Sequence, residues 1–412
     1  MKQLNNPIFD IIIIGAGPAG SCAALYASKM GLKVLLLDKS EFPRDKICGD
    51  AISGKSMLML RELGLMDEAL NLPGAHIHSI RFGSTTNKIV DISLQGSKRK
   101  GTPTGLVIPR KIFDAFLFGK ARAVVTETLD NYQVKNILIE DEQVTGVRGI
   151  NLNTNEISEF RAKIVLGADG LNSILAKELG IFNRLPKHRI VAVRQYYKNV
   201  SVQSNQIELH FVDELLPGYF WIFPAGDNLT NVGFGIKQDA LTKTPIDFKK
   251  AIPKFVSSAA FSDRFKNSQT ISDAQARILA VANTHRKNFG NGFLLLGDAA
   301  GLIDPFTGEG IGNAMVSGKH AAQTAWEAIE NNRFDASMLA AYDKNLWAHI
   351  GPELRMSRMM QRLANHKFLL NMVINKASED KEAQEIISGM MANTISRYRL
   401  VNPLFYLRLL FS

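Results

Sequence analysis

Cysteine is scarce in this chain, which has only Cys22 and Cys48 among its 412 residues. Two thiols exclude a disulfide-stapled secreted domain and a cysteine-rich zinc module. Long apolar runs are also missing, because no window holds the roughly 20 apolar residues that cross a bilayer. The apolar stretch at 8–14 is interrupted by Asp10 and followed by glycines, unlike the core of a signal peptide. We therefore expect a cytoplasmic protein with free thiols.

Charge of one sign is not in large excess. The chain has 49 Lys and Arg against 39 Asp and Glu, a net charge of +10. This balance fits an anionic ligand, a membrane surface or nucleic acid and does not choose among them. Hydrophobic residues make up 46% and charged residues 21%, which excludes a disordered or collagen-like chain. At about 150 residues per domain, the length predicts two or three domains.

The chain begins with a β-α-β pattern. Phe9–Ile14 is a largely β-branched run, typical of a strand buried on both faces. A helix is predicted over Pro18–Met30, with proline in the first turn, where a missing N–H costs nothing. A second buried strand spans Lys33–Leu37. Two strands joined by one helix within about 30 residues form a right-handed crossover and lie parallel.

Further buried strands at Ile164–Leu166 and Phe293–Leu296 show that this α/β domain is discontinuous. Residues 190–237 are rich in strand-forming side chains, and the chain after 335 has a helical pattern. The predicted fold class is α/β, with a Rossmann-like cofactor domain built on a parallel sheet, an inserted antiparallel β-sheet domain for substrate, and a helical C-terminal region. The predicted ranges are 1–75, 106–190 and 275–335 for the first, 76–105 and 191–274 for the second, and 336–412 for the third.

A GxGxxG turn formed by Gly15, Gly17 and Gly20 lies between the first strand and its helix. The first glycine allows the tight turn, the second lets backbone approach a pyrophosphate, and the third lets helix pack closely on strand. The helix N-terminus adds unpaired N–H groups. Asp38 ends the second strand, where an acid accepts hydrogen bonds from ribose hydroxyls. The pattern predicts a dinucleotide site and does not distinguish FAD from NAD.

Four separated motifs resemble FAD-binding proteins of the para-hydroxybenzoate hydroxylase type and, among them, the geranylgeranyl reductase family. They are the segment 10–39 around the glycine turn, FPRDKICGD at 42–50, GADG at 167–170 and GDAAGLIDPFTGEGIGNAM at 297–315. The resemblance spans at least residues 9–320 and implies bound FAD. It implies that Asp298 binds the ribityl chain and that Pro305–Gly310 crosses the flavin. The helix that follows would aim its N–H groups at the pyrimidine edge.

Arg110 matches a family arginine that opens a helix near the cofactor, although an exposed arginine at a helix start would give the same pattern. Asp169 matches an aspartate that either touches the cofactor or holds structure. Motif and resemblance together give the expected cofactor-binding set: Gly15, Gly17, Ala19, Gly20, Asp38, Lys39, Arg44, Cys48, Gly49, Arg110, Val134, Asp169, Gly297, Asp298, Pro305, Gly308, Gly310 and Ile311.

The segment 217–224, PGYFWIFP, resembles the YxWxFP signature of the geranylgeranyl reductases. On a strand, Tyr219, Trp221 and Phe223 share one face. This face is either a substrate wall, as the resemblance implies, or an ordinary sandwich core. Cys48 matches a cysteine in a loop close to the flavin, although a small buried turn residue fits as well. The candidate catalytic residues are Cys48, Tyr219 and Trp221, and the candidate proton donors are Tyr219, Cys48 and water.

The resemblance implies an FAD-dependent oxidoreductase that reduces isolated C=C bonds of an isoprenoid lipid by hydride transfer from reduced FAD. One alternative is a flavin-dependent monooxygenase, either a hydroxylase or a halogenase, although residues 71–82 lack the lysine that a halogenase uses. Another alternative is a lipid-binding flavoprotein without turnover. No second GxGxxG provides a nicotinamide domain, so the reductant is either NAD(P)H that docks transiently or a ferredoxin-like donor.

The expected partner is a small apolar substrate rather than nucleic acid, and no motif assigns an oligomeric state. Residues 391–412 carry three arginines, no acid and a very apolar end. Such a segment either lies in a membrane interface, making the protein peripheral, or docks on the protein's own surface. His76 and His78 share a strand face without a third ligand, so no metal site is expected.

Overall fold

A computed structural model of the chain describes residues 8–94, 103–181, 189–242 and 246–391. Its helices are α1 (Pro18–Lys29), α2 (Gly54–Leu63), α3 (Met66–Leu70), α4 (Arg110–Arg122), α5 (Ile174–Glu178), α6 (Phe248–Val256), α7 (Ser262–Phe265), α8 (Ile311–Glu330), α9 (Ala336–Leu363), α10 (Lys367–Glu379) and α11 (Lys381–Met391). The tail expected to contact a membrane, 392–412, lies outside the described residues.

The strands are β1 (Phe9–Ile14), β2 (Val34–Leu37), β3 (Ala51–Ile52), β4 (Ala75–Ile77), β5 (Ser79–Gly83), β6 (Ile89–Ser93), β7 (Gly105–Val107), β8 (Glu127–Leu129), β9 (Tyr132–Glu140), β10 (Gln143–Asn151), β11 (Ile157–Gly167), β12 (Arg189–Lys198), β13 (Gln206–His210), β14 (Tyr219–Pro224), β15 (Leu229–Lys237), β16 (Gln269–Thr270), β17 (Gln275–Ala280), β18 (Phe289–Gly290) and β19 (Phe293–Leu295).

The first sheet has the strand order β18-β19-β11-β1-β2-β8, with the β9–β10 hairpin attached to β11. Strand β1 lies parallel to β2 and β11, and β11 lies parallel to β19. Ile11, Ile12 and Ile13 are fully buried, as expected of a strand covered on both faces. The predicted parallel β-α-β unit is confirmed, and α1 ends one residue before the predicted Met30.

The second sheet has the order β16-β12-β15-β14-β13-β5-β6, with β17 also paired to β12. It is antiparallel apart from the β5–β13 pair. Gln275–Ala280, which the predicted boundary assigns to the first domain, forms β17 and pairs with β12 from Arg189 to Arg194. Strand β17 supplies hydrogen-bond partners for the backbone N–H and C=O groups at this edge of β12, which would otherwise be unpaired. Strands β3, β7 and β4 form a small third sheet in that order.

The C-terminal helices cover both large sheets. Helix α9 contacts β18 and β19, whereas α10 and α11 contact β6. Ile374 and Ala377 of α10 pack with Val90 and Ile92 of β6 in one buried cluster. Among the described residues, no helix is both long enough and apolar enough to span a bilayer. The C-terminal helices therefore bury apolar side chains of the second sheet that would otherwise be exposed to solvent.

Helices α1 and α8 approach each other closely at Gly318. A Cβ placed there would lie 2.5 Å from the carbonyl oxygen of Ala19 and 2.9 Å from the backbone nitrogen of Ala23. Next to it, the Cys22 thiol is fully buried and donates to the carbonyl oxygen of Met315 at 3.1 Å. This packing brings the N-termini of α1 and α8 to the same edge of the first sheet.

The close α1–α8 packing predicts that Gly318→Ala destabilises the protein by about 1–3 kcal/mol, because backbone must move to admit the methyl group. Gly119→Ala is the matched control. Gly119 lies exposed in α4 with nothing near the position of its Cβ, so alanine should stabilise its helix by about 0.5–1 kcal/mol. Urea unfolding of the two variants measures both effects. Equal stability of the two variants would contradict the packing.

Candidate active site

A cavity of about 360 Å³ runs between the first sheet, the second sheet and the C-terminal helices. Its wall includes Asp298 and the loop Pro305–Gly310. Tyr219, Trp221 and Phe223 of β14 also line it, together with the segments 46–49 and 51–54 and with α10. Tyr219, Trp221 and Phe223 thus share one face, and that face lines the cavity rather than the closed core of the second domain.

The glycine turn before α1 leaves an open helix N-terminus. Gly15 has φ +97° and a Cβ there would lie 2.5 Å from the carbonyl oxygen of Ala168, so the turn packs directly on the GADG segment. A Cβ on Gly20 would lie 1.8 Å from the carbonyl oxygen of Gly15. At Gly17, by contrast, a Cβ would meet only the end of the Arg44 side chain, at 3.4 Å. No side chain caps α1, so its N–H groups suit a pyrophosphate.

Asp38 lies beside this turn and holds it. One carboxylate oxygen accepts from the backbone N–H of Ala16 at 2.7 Å, and the other accepts from Ser40 at 2.9 Å. The backbone of Asp38 also accepts from the N–H of Tyr132 at 2.9 Å, which places Val134, two residues further along β9, near this end of the site. Val134 does not line the cavity, and its contact with the cofactor stays a prediction.

Lys39 and Asp169 lie near each other at the GADG segment. Lys39 is exposed, and its charge acts on the Asp169 carboxyl. Asp169 accepts from the N–H of Ile174 at 2.7 Å, at the start of α5. Burial raises the pKa of Asp169 to about 6 against the opposing hydrogen bonds. In this structure its carboxylate therefore anchors the turn that follows β11.

The second open helix N-terminus belongs to α8, which begins at Ile311 without a side-chain cap. Gly310 precedes it, and a Cβ there would lie 3.7 Å from a carboxylate oxygen of Asp298. Gly308 has φ +73°, and a Cβ there would lie 3.4 Å from the Tyr219 hydroxyl. Gly297 has φ +54° and sits between α1 and α8. The residues present fit FAD, since the uncapped starts of α1 and α8 line the cavity together with Asp298, and Asp38 lies beside the glycine turn that precedes α1.

Asp298 is paired with Lys46, whose ammonium lies 2.9 Å from its carboxylate. Burial opposes the charge of both groups. It lowers the pKa of Lys46, while the ammonium of Lys46 more than offsets burial at Asp298 and holds the pKa of that carboxyl below its usual value. Arg110 and Arg277 add positive charge around the pair. Both members of the pair line the cavity.

Arg110 is buried rather than exposed at the start of α4, with 2% of its surface accessible. Its guanidinium makes two hydrogen bonds to Asp114, at 2.6 and 2.7 Å, and Arg44 reaches the same carboxylate at 2.8 Å. Despite burial, the charge of Asp114 and a contact with the Cys48 thiol raise the pKa of Arg110. The charged side chains of Arg110, Arg44 and Asp114 therefore form a hydrogen-bonded group on which the Cys48 loop lies.

The loop that carries Cys48 and Gly49 is tied to the second sheet through Asn231 of β15. The Asn231 amide donates to the carbonyl oxygen of Cys48 at 2.8 Å and to Asp50 at 2.7 Å. Its oxygen accepts from the Trp221 indole N–H at 2.9 Å. A Cβ on Gly49 would lie 3.2 Å from the Phe223 ring, so the loop touches the aromatic strand directly.

Two more contacts fasten the same loop. Tyr196 of β12 donates to Asp50 at 2.5 Å, and Arg194 pairs with Asp45 at 2.7 Å. Asp50 is fully buried, and burial raises its pKa to about 6 although its hydrogen bonds and two nearby arginines favour the charged form. The segment between β2 and β3 is thus held by the second sheet along much of its length.

The structure brings the three candidate catalytic residues to one cavity, where Cys48, Tyr219 and Trp221 all line the wall. The Trp221 N–H is engaged by Asn231, and the Tyr219 hydroxyl donates to the carbonyl oxygen of Thr307 at 2.5 Å. Burial raises the pKa of Tyr219. Trp221 therefore lines the cavity with its N–H already bonded. Tyr219 holds, through its hydrogen bond, the loop that is expected to cross the flavin.

Sequence reasoning missed Lys46, Asp50 and Asn231 as site residues. Lys46 and Asp50 lie inside the FPRDKICGD motif, but their partners lie 252 and 181 residues away along the chain. Asn231 carried a usable signal, since it is a polar residue in the otherwise apolar centre of β15. Because a buried amide needs hydrogen-bond partners, the sequence could have indicated that Asn231 bonds to other residues. It could not have indicated which residues these are.

The raised pKa of Asp50 predicts a pH dependence of stability. A carboxyl whose pKa is about 6 when folded and about 3.9 when unfolded favours folding when protonated. The wild type should therefore lose on the order of 3 kcal/mol of stability, relative to Asp50→Asn, as the pH rises from about 4 to about 6. Urea unfolding across this range measures the difference. Asp67→Asn, at an exposed site, is the control, and a parallel pH profile for D50N would refute the assignment.

The chain matches the family model for the FAD binding domain over residues 9–349. It is 32% identical over 383 residues to the digeranylgeranylglycerophospholipid reductase of Methanosarcina acetivorans, covering 91% of this chain and 87% of that protein. It is 31% identical to digeranylgeranylglycerophospholipid reductase 1 of Methanococcoides burtonii, covering 84% of this chain and 81% of that protein.

Two solved structures are similar along nearly the whole chain. A geranylgeranyl bacteriochlorophyll reductase-like protein from Thermoplasma acidophilum is 27% identical, with a TM-score of 0.83 over 97% of this chain and 99% of that one. A flavin-dependent brominase is 20% identical, with a TM-score of 0.78 over 98% of this chain and 99% of that one, and shows the fold alone. The open helix termini, the buried aspartates and these matches agree: the chain belongs to the FAD-binding-domain family and to the family of the digeranylgeranylglycerophospholipid reductases, and it is an FAD-dependent oxidoreductase.

Proposed function

We propose that this enzyme saturates isolated C=C bonds in the isoprenoid chains of a lipid. The observation that carries the proposal is the continuity of the cavity, which runs from Asp298 and Pro305–Gly310 past Trp221 to α10. Reduced FAD, when bound, supplies the hydride for such a reduction. The protein's own residues bind the lipid chain, orient it and exclude water from it.

The lining of the cavity supports an apolar chain as ligand. Beyond the Lys46–Asp298 pair, the wall is formed largely by aliphatic side chains from the second sheet and α10, which include Ile80, Ile207, Leu209, Leu370, Val373 and Ile374. Burying one methylene stabilises a complex by about 0.8 kcal/mol, so a long chain gains most of its affinity here. Charged groups concentrate at the Asp298 end, where they would orient the cofactor.

The relatives support a particular lipid class. Those reported above are named as reductases of digeranylgeranylglycerophospholipid, so we propose a glycerophospholipid with two geranylgeranyl chains as the substrate. A membrane lipid as substrate also supports peripheral membrane contact, which we propose for the basic C-terminal tail. The reductant is proposed to be external, either NAD(P)H or a ferredoxin-like protein, because the sequence has no second dinucleotide motif.

The proposal predicts that reduced enzyme, incubated without oxygen with a geranylgeranyl phospholipid, yields lipid that has gained two hydrogens per double bond. Mass spectrometry measures the gain. A monooxygenase would leave the lipid unchanged without oxygen and would add oxygen atoms in air. Unchanged lipid across several head groups would contradict the proposal. Comparing NADPH, NADH and reduced ferredoxin as the electron source in the same assay identifies the donor.

The channel predicts a second result. Ile374→Trp should lower lipid turnover at least about tenfold, because the larger ring fills space that a chain would occupy. FAD absorbance and its bleaching by dithionite should stay unchanged, since Ile374 packs with Val90 and Ile92 of β6 and is not among the residues expected to bind the cofactor. Phe368→Trp, on the same helix but 71% exposed, is the control. Normal turnover by I374W would place the substrate elsewhere.

A further inference from the structure

A cluster of charged side chains lies at the loop that is expected to cross the flavin. Glu309 belongs to this loop and lines the cavity. Its carboxylate accepts a hydrogen bond from the Ser53 hydroxyl, at the start of α2. Lys55 of α2 is buried, and its ammonium lies 2.7 Å from Glu353 of α9 and 2.6 Å from the side-chain oxygen of Asn313. Three elements thus bring two glutamates and one lysine together.

The cluster has more acid than base. Glu309, Glu353 and Asp304 all act electrostatically on Lys55, whose ammonium is the positive charge at the centre. Asp304 is committed to structure, because it accepts from Ser357 and from the N–H groups of the loop that follows it. Repulsion among three carboxyls around one ammonium favours the protonated form of one of them.

Glu309 is the carboxyl best placed to retain that proton. Burial raises the pKa of Glu309, the charges of Glu353 and Asp304 add to the effect, and Lys55 and Ser53 oppose it. Glu353, by contrast, is in direct contact with the Lys55 ammonium. Glu309 is also the member of the cluster on the loop 305–310, which lines the cavity beside Tyr219. Glu309 thus joins the charged cluster to the wall of the cavity.

The outer end of the cluster reaches the surface through two histidines. His349 lies one helical turn before Glu353 on α9, on the same face, and is exposed. Its Nδ1 lies 3.1 Å from Nε2 of His320 on α8. Although part of its side chain is exposed, partial burial and the positive charges of Lys55 and Lys319 lower the pKa of His349. Burial and the charge of His349 lower the pKa of His320 to about 4. Neutral imidazoles both accept and donate protons.

We propose that Glu309 donates the proton that completes saturation of the substrate, and that Lys55, Glu353 and His349 connect it to solvent. The inference rests on the proposed function. Reduction of one C=C bond takes up a hydride and a proton. The proton leaves the Glu309 carboxyl and forms a C–H bond at the carbon that does not take the hydride. The resulting carboxylate is stabilised by Lys55 and Ser53, and solvent returns its proton through the cluster.

The two side chains expected from the sequence as donors are less suited. Tyr219 already donates its hydroxyl proton to the carbonyl oxygen of Thr307, and its raised pKa makes it a weak acid. Cys48 has no comparable path, because its loop is enclosed by Arg110 and Asn231. Glu309 alone among these candidates joins the cavity wall to a chain of titratable groups among the described residues.

The test is Glu309→Gln, which keeps the shape of the side chain and a contact with Ser53. Infrared spectra of the FAD-loaded protein without substrate are compared at a pH well above 6, where Asp50 and Asp169 are ionised. The wild type should show the carbonyl stretch of a protonated carboxyl there, and E309Q should lack it. Anaerobic single turnover of the reduced enzyme with a geranylgeranyl phospholipid should slow by about a hundredfold or more in E309Q, with FAD absorbance unchanged. Glu330→Gln, exposed at the end of α8, is the control and should match the wild type.

The outcomes separate the two proposals. An infrared band that persists unchanged in E309Q would overturn the stored proton at Glu309. Equal single-turnover rates for wild type and E309Q would overturn its role as donor. Glu353→Gln should shift the titration of the band to lower pH, because one opposing carboxylate is lost, and an unshifted titration would overturn the cluster. A wild-type enzyme that no lipid reoxidises would instead overturn the proposed function, whatever the infrared result.

Discussion

The active site depends on the hydrogen bonds that Asn231 makes to the Cys48 loop. This loop leaves the first sheet after β2, and Asn231 and Phe223 of the second sheet contact it at Cys48 and Gly49. One buried amide holds the loop backbone, the Asp50 carboxyl and the Trp221 indole together. A buried amide that loses such partners costs about 1–3 kcal/mol per unpaired group. The arrangement therefore sets the width of the cavity and the position of its aromatic wall.

Charged side chains and apolar side chains line different parts of the cavity. Buried charges collect at the Asp298 end, and those described here are paired: Lys46 with Asp298, and Arg110 and Arg44 with Asp114. Unpaired, each would carry a large desolvation penalty. The rest of the cavity wall is aliphatic, so it can bind a lipid chain through burial of apolar surface and through the shape of the cavity. Under the proposed function, charge and open helix termini position the cofactor, and the shape of the channel positions the substrate.

Much of this architecture could be predicted from the sequence, because it rests on local patterns. Local sequence patterns identify the glycine turn, Asp38, Asp298 and the alternating aromatic residues of β14, because each pattern spans only a few residues. The pairing of Lys46 with Asp298, or of Asn231 with Asp50, could not be predicted, because each joins segments far apart in the chain. The same holds for β17, which no local pattern assigns to the edge of β12, and for Trp221, whose N–H is taken by a partner on the next strand.

The most direct test of the account is a crystal structure of the protein with FAD and a geranylgeranyl lipid analogue. The account predicts the isoalloxazine ring against Pro305–Gly310, with Cys48 on the adjoining wall and the isoprenoid chain in contact with Trp221, within about 4.5 Å. The chain should continue towards Ile374. A ring bound away from that loop, or a lipid outside the space between β14 and α10, would contradict it.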